Sequence, residues 1–334
     1  MPAVHPTILF AKFEQSLSAG GWQSLRTSSE HQPRDYRIWR GGERLDLKVY
    51  LLTLTPGGTG RPKDEWRIQP TAAKIFAQGA DYLTVILGYD EDRDVFAGFD
   101  VKAHAGPLGT SPSIQIKAKA LDAAVATGLA LHVKSSAELV FAIKPGFLGL
   151  YIEYLRALHD AKVDPAELTL LVDMTSDPTT VSQTDIDGAV TTPERKRVLR
   201  TILRYLRDRR FRAKVLTAYA HQCAACGIQL ELLDAAHVLP VGQPGSTDET
   251  PNGVAFCALH HRAYDAGLIA FNTSYELRIS KPRMAQLKTD GRDGGGTAFA
   301  ATLKAALLLP SKPSDHPDAA LINKANAHRG FVFS

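Results

Sequence analysis

Cysteine is scarce in this sequence, with three among 334 residues. An odd and low count argues against a disulfide framework and for a reducing compartment. Long apolar runs are missing too, so no membrane-spanning helix is expected. The opening MPAVHPTILFAKFEQ lacks the basic segment and apolar core of a secretory signal, and the expected location is cytoplasmic. There is no internal repeat. A strong overall charge is also lacking, since the net charge is +4. That charge is unevenly spread. Residues 1–190 hold 19 basic and 23 acidic side chains, whereas residues 191–334 hold 20 and 12. Such asymmetry is a hint of nucleic-acid binding by the second part.

The first part has the composition of an α+β domain. A helix is expected over 7–25. Runs rich in β-branched and aromatic residues follow: DYRIW (35–39), RLDLKVYLLTL (44–54), EWRIQP (65–70), DYLTVILGY (81–89), DVFAGFD (94–100) and SIQIKA (113–118). Turn signals such as PGGTGRP and YDEDRD divide them. A short helix over 120–129, a strand in ELVFAIKP and a helix over 147–160 complete this part. The expected N-terminal domain, 1–172, is therefore β-rich, with a mixed or antiparallel sheet able to curl into a barrel. Residues 173–192 are rich in Thr, Ser and Asp and read as a linker. Thr191-Thr-Pro-Glu194 then supplies a capping-box start for a long helix. Ten Lys or Arg fall within 195–214, offset in sequence only by Glu194 and Asp208. Arg200, Arg204, Arg207 and Arg210 are the candidate phosphate contacts on that helix.

All three cysteines lie in the last domain, expected over 193–334. The pattern is Cys223-x2-Cys226, then Asp234-Ala-Ala-His237-x2-Pro240, then Asn252-Gly253, then Cys257-x2-His260-His261-x3-Asp265. Two knuckles of this spacing assemble a tetrahedral site from Cys223, Cys226, Cys257 and His260. Thiolate and imidazole donors suit zinc, and a site closed by four protein ligands is structural. His261 and Asp265 are i and i+4 on the expected helix, so they share a face. His260 is turned about 100° from His261 and is free to face the zinc.

The string DAAHVLP, PNGVAFC, CALHHRAYD resembles the HNH (ββα-metal) endonuclease family in its zinc-stapled, restriction-endonuclease form, over roughly residues 195–275. The resemblance implies a hairpin ending in a base histidine, a loop held by an asparagine, and a helix carrying metal ligands. Carried onto this sequence, it makes His237 the general base, Asn252 the loop-orienting residue, and His261 and Asp265 the ligands of a catalytic divalent ion, Mg²⁺ or Mn²⁺. It implies phosphodiester hydrolysis of double-stranded DNA that leaves 5′-phosphate and 3′-hydroxyl ends, with a homodimer for double-strand cleavage. One departure stands out. Many members place Asp or His directly before the base histidine as a third ligand, and here that position is Ala236.

By the same resemblance the first domain chooses the target, as in restriction enzymes that include modification-dependent ones. The segment RPKDEWRIQP offers Arg61, Arg67 and Gln69 beside Trp66 for base or phosphate contact. Its competing reading puts Trp66 and Ile68 in the core and the charges on a solvated edge. Other functions compatible with the motif are a non-catalytic DNA-binding regulator and a mobile-element or toxin nuclease.

Overall fold

A computed structural model describes residues 4–28, 31–160, 164–230 and 232–333. The chain divides into two compact units, Met1–Leu206 and Arg207–Ser334.

The first unit begins with helix α1 (Pro6–Ala19), started by His5 and Pro6. Its Leu9, Phe10, Phe13 and Leu17 recur at helical spacing and are buried. The helix stops six residues earlier than its pattern suggests, because Gly20 and Gly21 follow and Gly21 has φ +81°. Strands β1 (Gln23–Arg26), β2 (Arg34–Arg40), β3 (Glu43–Thr53), β4 (Thr55–Pro56), β5 (Glu65–Ile68), β6 (Leu83–Asp90), β7 (Val95–Phe99) and β8 (Ile114–Lys117) come next. Helix α2 (Ala118–Thr127) and strands β9 (Leu129–Val133) and β10 (Leu139–Ile143) follow. Helices α3 (Leu148–Glu153), α4 (Leu155–Asp160), α5 (Pro165–Ser176) and α6 (Gln183–Ala189) then lead to the long α7 (Pro193–Ala218), inside which the boundary between the units falls.

Seven strands form one sheet in the order β1-β2-β3-β6-β7-β10-β9, antiparallel throughout except for the parallel pair β3 and β6. The expectation of a barrel is corrected here: β1 and β9 are open edges and do not pair with each other. The reason is legible in the strands. β7 and β10 are buried along their whole length, and β3 and β6 send apolar residues to both faces. Val49, Leu51, Val85 and Leu87 pack on one face with α1, α3 to α6 and the first turns of α7. Tyr50 and Ile86 pack on the other with α2 and a second sheet of order β4-β5-β8. A sheet covered on both faces has no need to close upon itself.

Residues 173–192 hold the end of α5 and all of α6. Their polar composition reflects a capping box at Ser182 and Asp185, while Val181, Ile186 and Val190 are buried in the same core as Leu199, Ile202, Leu203 and Leu206 of α7.

The second unit takes the rest of α7, the hairpin β11 (Leu233–His237) and β12 (Gly253–Cys257), helix α8 (Ala258–Asp265), the hairpin β13 (Ile269–Phe271) and β14 (Leu277–Ile279), and helices α9 (Lys281–Thr289), α10 (Gly296–Thr302) and α11 (Ala319–Arg329). Its core gathers Phe211, Val215, Val238, Phe256, Tyr264, Phe271 and Ile322. The architecture of the chain is α+β with open sheets. Among the described residues no helix is long and apolar enough to cross a membrane.

Candidate active site and metal centre

The metal centre is built by two tight turns. Cys223 and Cys226 lie in a knuckle closed by Gly227 N to Cys223 O (2.8 Å) and Cys223 N to Ile228 O (2.9 Å), with Gly227 at φ +86°. Ala224 N donates to Ala255 O of β12 (2.8 Å), which ties the knuckle to the strand carrying Cys257. Cys257 stands at the N-terminus of α8, and His260 one turn on. The donor atoms of Cys223, Cys226, Cys257 and His260 lie within 4.8 Å of one another, the one such group of His, Cys, Asp or Glu among the described residues. His260 Nδ1 is 3.2 Å from Cys257 Sγ and 3.6 Å from Cys223 Sγ. Its Nε2 meets Thr302 Oγ1 of α10 at 3.0 Å, the outer contact that fixes which ring nitrogen faces a metal ion. Burial opposes ionisation of Cys223, but hydrogen bonds from His260 and from the local backbone outweigh it and hold the thiol at about 6, whereas burial pushes Cys226 up to about 12. Three sulfurs and an imidazole nitrogen in a buried cluster can hold one metal ion.

The β11 and β12 hairpin places His237 opposite Gly253 in the strand register. A Cβ at Gly253 would clash with Val215 and Phe211, so glycine there lets α7 lie directly on the hairpin. As a result the Phe211 ring stacks on the His237 imidazole at 3.8 Å and 14°. His237 Nε2 lies 3.1 Å from Asp248 Oδ1. The His237 contact holds the Asp248 carboxyl below the usual carboxylate range, against the opposing effect of burial and with help from nearby Arg207 and Lys214.

Asn252 is fully buried beneath the loop between the strands. Its Oδ1 accepts from Leu239 N (2.8 Å), and its Nδ2 donates to Thr247 O (2.8 Å), Ser246 Oγ (3.1 Å) and Leu239 O (3.2 Å). That one side chain spans the loop that carries Asp248.

His261 projects from α8 between two carboxylates, with Nδ1 3.8 Å from Asp234 and Nε2 3.4 Å from Asp265. Asp234 also lies 3.6 Å from Arg212. A cleft of about 390 Å³ is lined by His237, His261, Asp265, Asp234, Arg212 and Arg329, among others. Asp234 and Arg329 of its lining, and Asp248 beside His237, were given no role from the sequence. Asp234 carried the only visible signal, an acidic residue on the strand of the base histidine.

The DNA-contact candidates are spread out. On α7, Arg200 pairs with Asp187 (2.6 Å), Lys196 with the same carboxylate (3.5 Å), Arg195 with Glu167, and Lys214 with Glu249 (3.3 Å). Acidic residues distant in sequence thus neutralise part of this basic helix. Arg204 is exposed, and Arg207 and Arg210 also make interactions. In the first unit Arg61 pairs with Glu65 (2.7 Å), Gln69 is exposed, and Arg67 is half-buried. Trp66 and Ile68 belong to the core, with Arg93 over the Trp66 ring at 4.6 Å.

Residues 223–272, which span the knuckle, the hairpin and α8, match the family model of the HNH endonuclease. The segment is an HNH endonuclease domain. Around it the HNH domain is extended by α7 on one side and by residues 273–333 on the other. Residues 45–152 of the first unit match the family Methylase-associated X1. Among solved structures the chain is similar to a "Modification dependent TagI restriction endonuclease", with 13% identity, 83% of this chain and 80% of that chain covered, and a TM-score of 0.30. A likeness that distant bears on neither the HNH chemistry nor the role of the first unit. No curated protein matches the chain.

Proposed function

We propose that this protein is a metal-dependent DNA endonuclease that hydrolyses phosphodiester bonds, working as a restriction enzyme in defence against foreign DNA such as that of phage. The observation that supports it most is the convergence of His237, His261, Asp265 and Asp234 in one cleft of the HNH domain. The Cys₃His cluster is read as a structural zinc site, because its donors are those zinc prefers and all four positions are protein ligands. His261 and Asp265 would hold the catalytic ion, Mg²⁺ or Mn²⁺. One imidazole and one carboxylate, completed by water and phosphate oxygens, are a donor set that such ions accept. Bound there, the ion supplies charge stabilisation for the phosphate and the leaving 3′ oxygen. Asp234, on the other ring nitrogen of His261, would orient that imidazole toward the ion.

The protein groups act on the water. His237, donating its Nε2–H to Asp248 as a hydrogen bond, keeps the lone pair on Nδ1 and removes a proton from the attacking water. Phe211 and Asp248 restrain the ring in two directions, by stacking and by hydrogen bond. Asn252 fixes the loop that supplies Asp248. Arg204 and its neighbours on α7 bind backbone phosphate. The first unit selects the target, with Arg61, Arg67 and Gln69 as contact candidates, and its match to a methylase-associated family favours a link to DNA methylation. Digestion of methylated and unmethylated DNA with Mg²⁺ or Mn²⁺, with mapped ends, tests the reading. Products with 5′-phosphate and 3′-hydroxyl ends that depend on His237 and on the divalent ion uphold it. Intact DNA under all of these conditions refutes it.

A further inference from the structure

Residues 273–333 lie beyond the HNH match, yet their last helix returns to the cleft. Asp318 N donates to Pro251 O (2.9 Å), and the buried Asn326 donates through Nδ2 to Phe271 O (3.0 Å). Ile322 and Ala325 are buried in the core of the second unit. These contacts set the direction of α11, whose final residue is Arg329, followed by Gly330 in the left-handed region. The Arg329 guanidinium lies over the Tyr264 ring at 4.1 Å and donates through Nη1 to Val238 O at 2.9 Å. Tyr264 donates its hydroxyl to the same carbonyl at 3.1 Å. Val238 directly follows His237.

A guanidinium has five N–H donors in a rigid fork. Here one donor and one face are committed to the protein, so the plane is held before any ligand arrives. Arg212, the other arginine of the cleft, is beside Asp234, whereas among the described residues Arg329 makes no ion pair. A fixed cation with no ion-pair partner among the described residues, in the same cleft as the base histidine, is suited to an anion.

We propose that Arg329 binds the scissile phosphodiester, holding a non-bridging oxygen while water is activated at His237. The proposal rests on the nuclease reading above and adds a substrate-contacting residue from outside the family match. It gives the C-terminal helix a chemical task in addition to packing. Such a contact stabilises charge that grows on the phosphate as the reaction proceeds.

The test uses the full chain with Arg329→Ala and Arg329→Gln, each checked by thermal melting and by metal content. Arg329→Gln retains a donor for Val238 O, so it carries the reading if the alanine variant fails to fold. Cleavage by either should fall on the order of 10²–10³-fold. Binding of a short duplex to the His237→Ala protein, with and without Arg329→Gln, supplies a second readout. Loss of one phosphate contact lowers the slope of log affinity against log salt by about 1, whereas loss of a brace for Val238 leaves that slope unchanged. A folded Arg329→Gln protein with wild-type cleavage, or with reduced cleavage and an unchanged salt slope, overturns the assignment while leaving the nuclease intact. A wild-type protein that binds DNA through Arg329 but cuts none overturns the hydrolysis reading and keeps the phosphate site. A protein that neither binds nor cuts DNA overturns both.

Discussion

Replacing Asn252 by alanine removes a buried side chain that bonds to the loop from Leu239 to Thr247 at both ends. Four hydrogen bonds are lost, and Leu239 N, which is buried and accepted by Asn252 Oδ1, is left without that partner. A typical net hydrogen bond contributes about 0.5–1.5 kcal/mol, and a stranded buried donor costs about 1–3 kcal/mol. Three of the bonds share one amide nitrogen and do not add in full, so the expected loss is about 2–4 kcal/mol. A domain of this size has roughly 5–15 kcal/mol in hand, and the variant should still fold. With a urea dependence of about 2 kcal/mol/M, the midpoint of the second unit should drop by about 1–2 M. Trp22, Trp39 and Trp66 all lie in the first unit. Their fluorescence should not follow the change, whereas metal release from the Cys₃His cluster should. Asn252→Asp is a sharper version. It keeps the acceptor for Leu239 N but turns an oxygen toward the carbonyls of Thr247 and Leu239, and it should cost as much as alanine at neutral pH. A loss below about 1 kcal/mol, or cleavage equal to wild type, would refute the argument that Asn252 sets the loop and through it Asp248 and His237.

His237→Ala should lower cleavage by about two to four orders of magnitude with duplex binding nearly unchanged; Asp248→Asn, which removes the negative charge beside the ring, should lose a part of that, on the order of tenfold. The Asp248 carboxyl is held below its ordinary value by His237, so its contribution to folding is complete above the unfolded carboxylate range near pH 4 and disappears as pH falls through the lower folded value; Asp248→Asn should therefore narrow the stability gap to wild type in acid and show the full gap at pH 7, in melts taken across that range. A chelator dye should draw one zinc per chain from the unfolded protein, and Cys257→Ala should unfold the second unit while the tryptophan signal of the first persists. A fragment starting near residue 207 should be monodisperse by light scattering, whereas one starting near 190 bares Leu199, Ile202, Leu203 and Leu206 and should associate.

The parts of the site that were readable in the sequence are those set by short spacing and donor chemistry. Two Cys-x2 knuckles bring four ligands together because each is a local turn, and i to i+4 spacing on one helix settles the nearness of His261 to Asp265. The remainder depends on tertiary arrangement. Asp234 reaches His261 only because β11 pairs with β12 in one register and α8 lies across both. Asp248 belongs to a loop whose path follows from Asn252. Arg329 arrives from a helix with no sequence link to the motif. In the first unit the strands were visible as β-branched runs, but whether the sheet closes depends on what covers its faces, which no strand reveals singly. Residues 173–192 show a related limit: three buried apolar side chains, Val181, Ile186 and Val190, are hidden among polar ones that cap helices.

The stacking of Phe211 on His237 also bears on how much of this protein can be transplanted. Phe211 lies on α7, twelve residues before the first cysteine, and Gly253 in the hairpin makes room for that helix, for Val215 most closely and then for Phe211. A graft of the matched segment alone onto another DNA-binding scaffold would carry a histidine with one bare face, held by Asp248 alone. The smallest cassette worth moving is therefore larger than its signature: it must include the aromatic side chain of the preceding helix as well as the glycine that receives it.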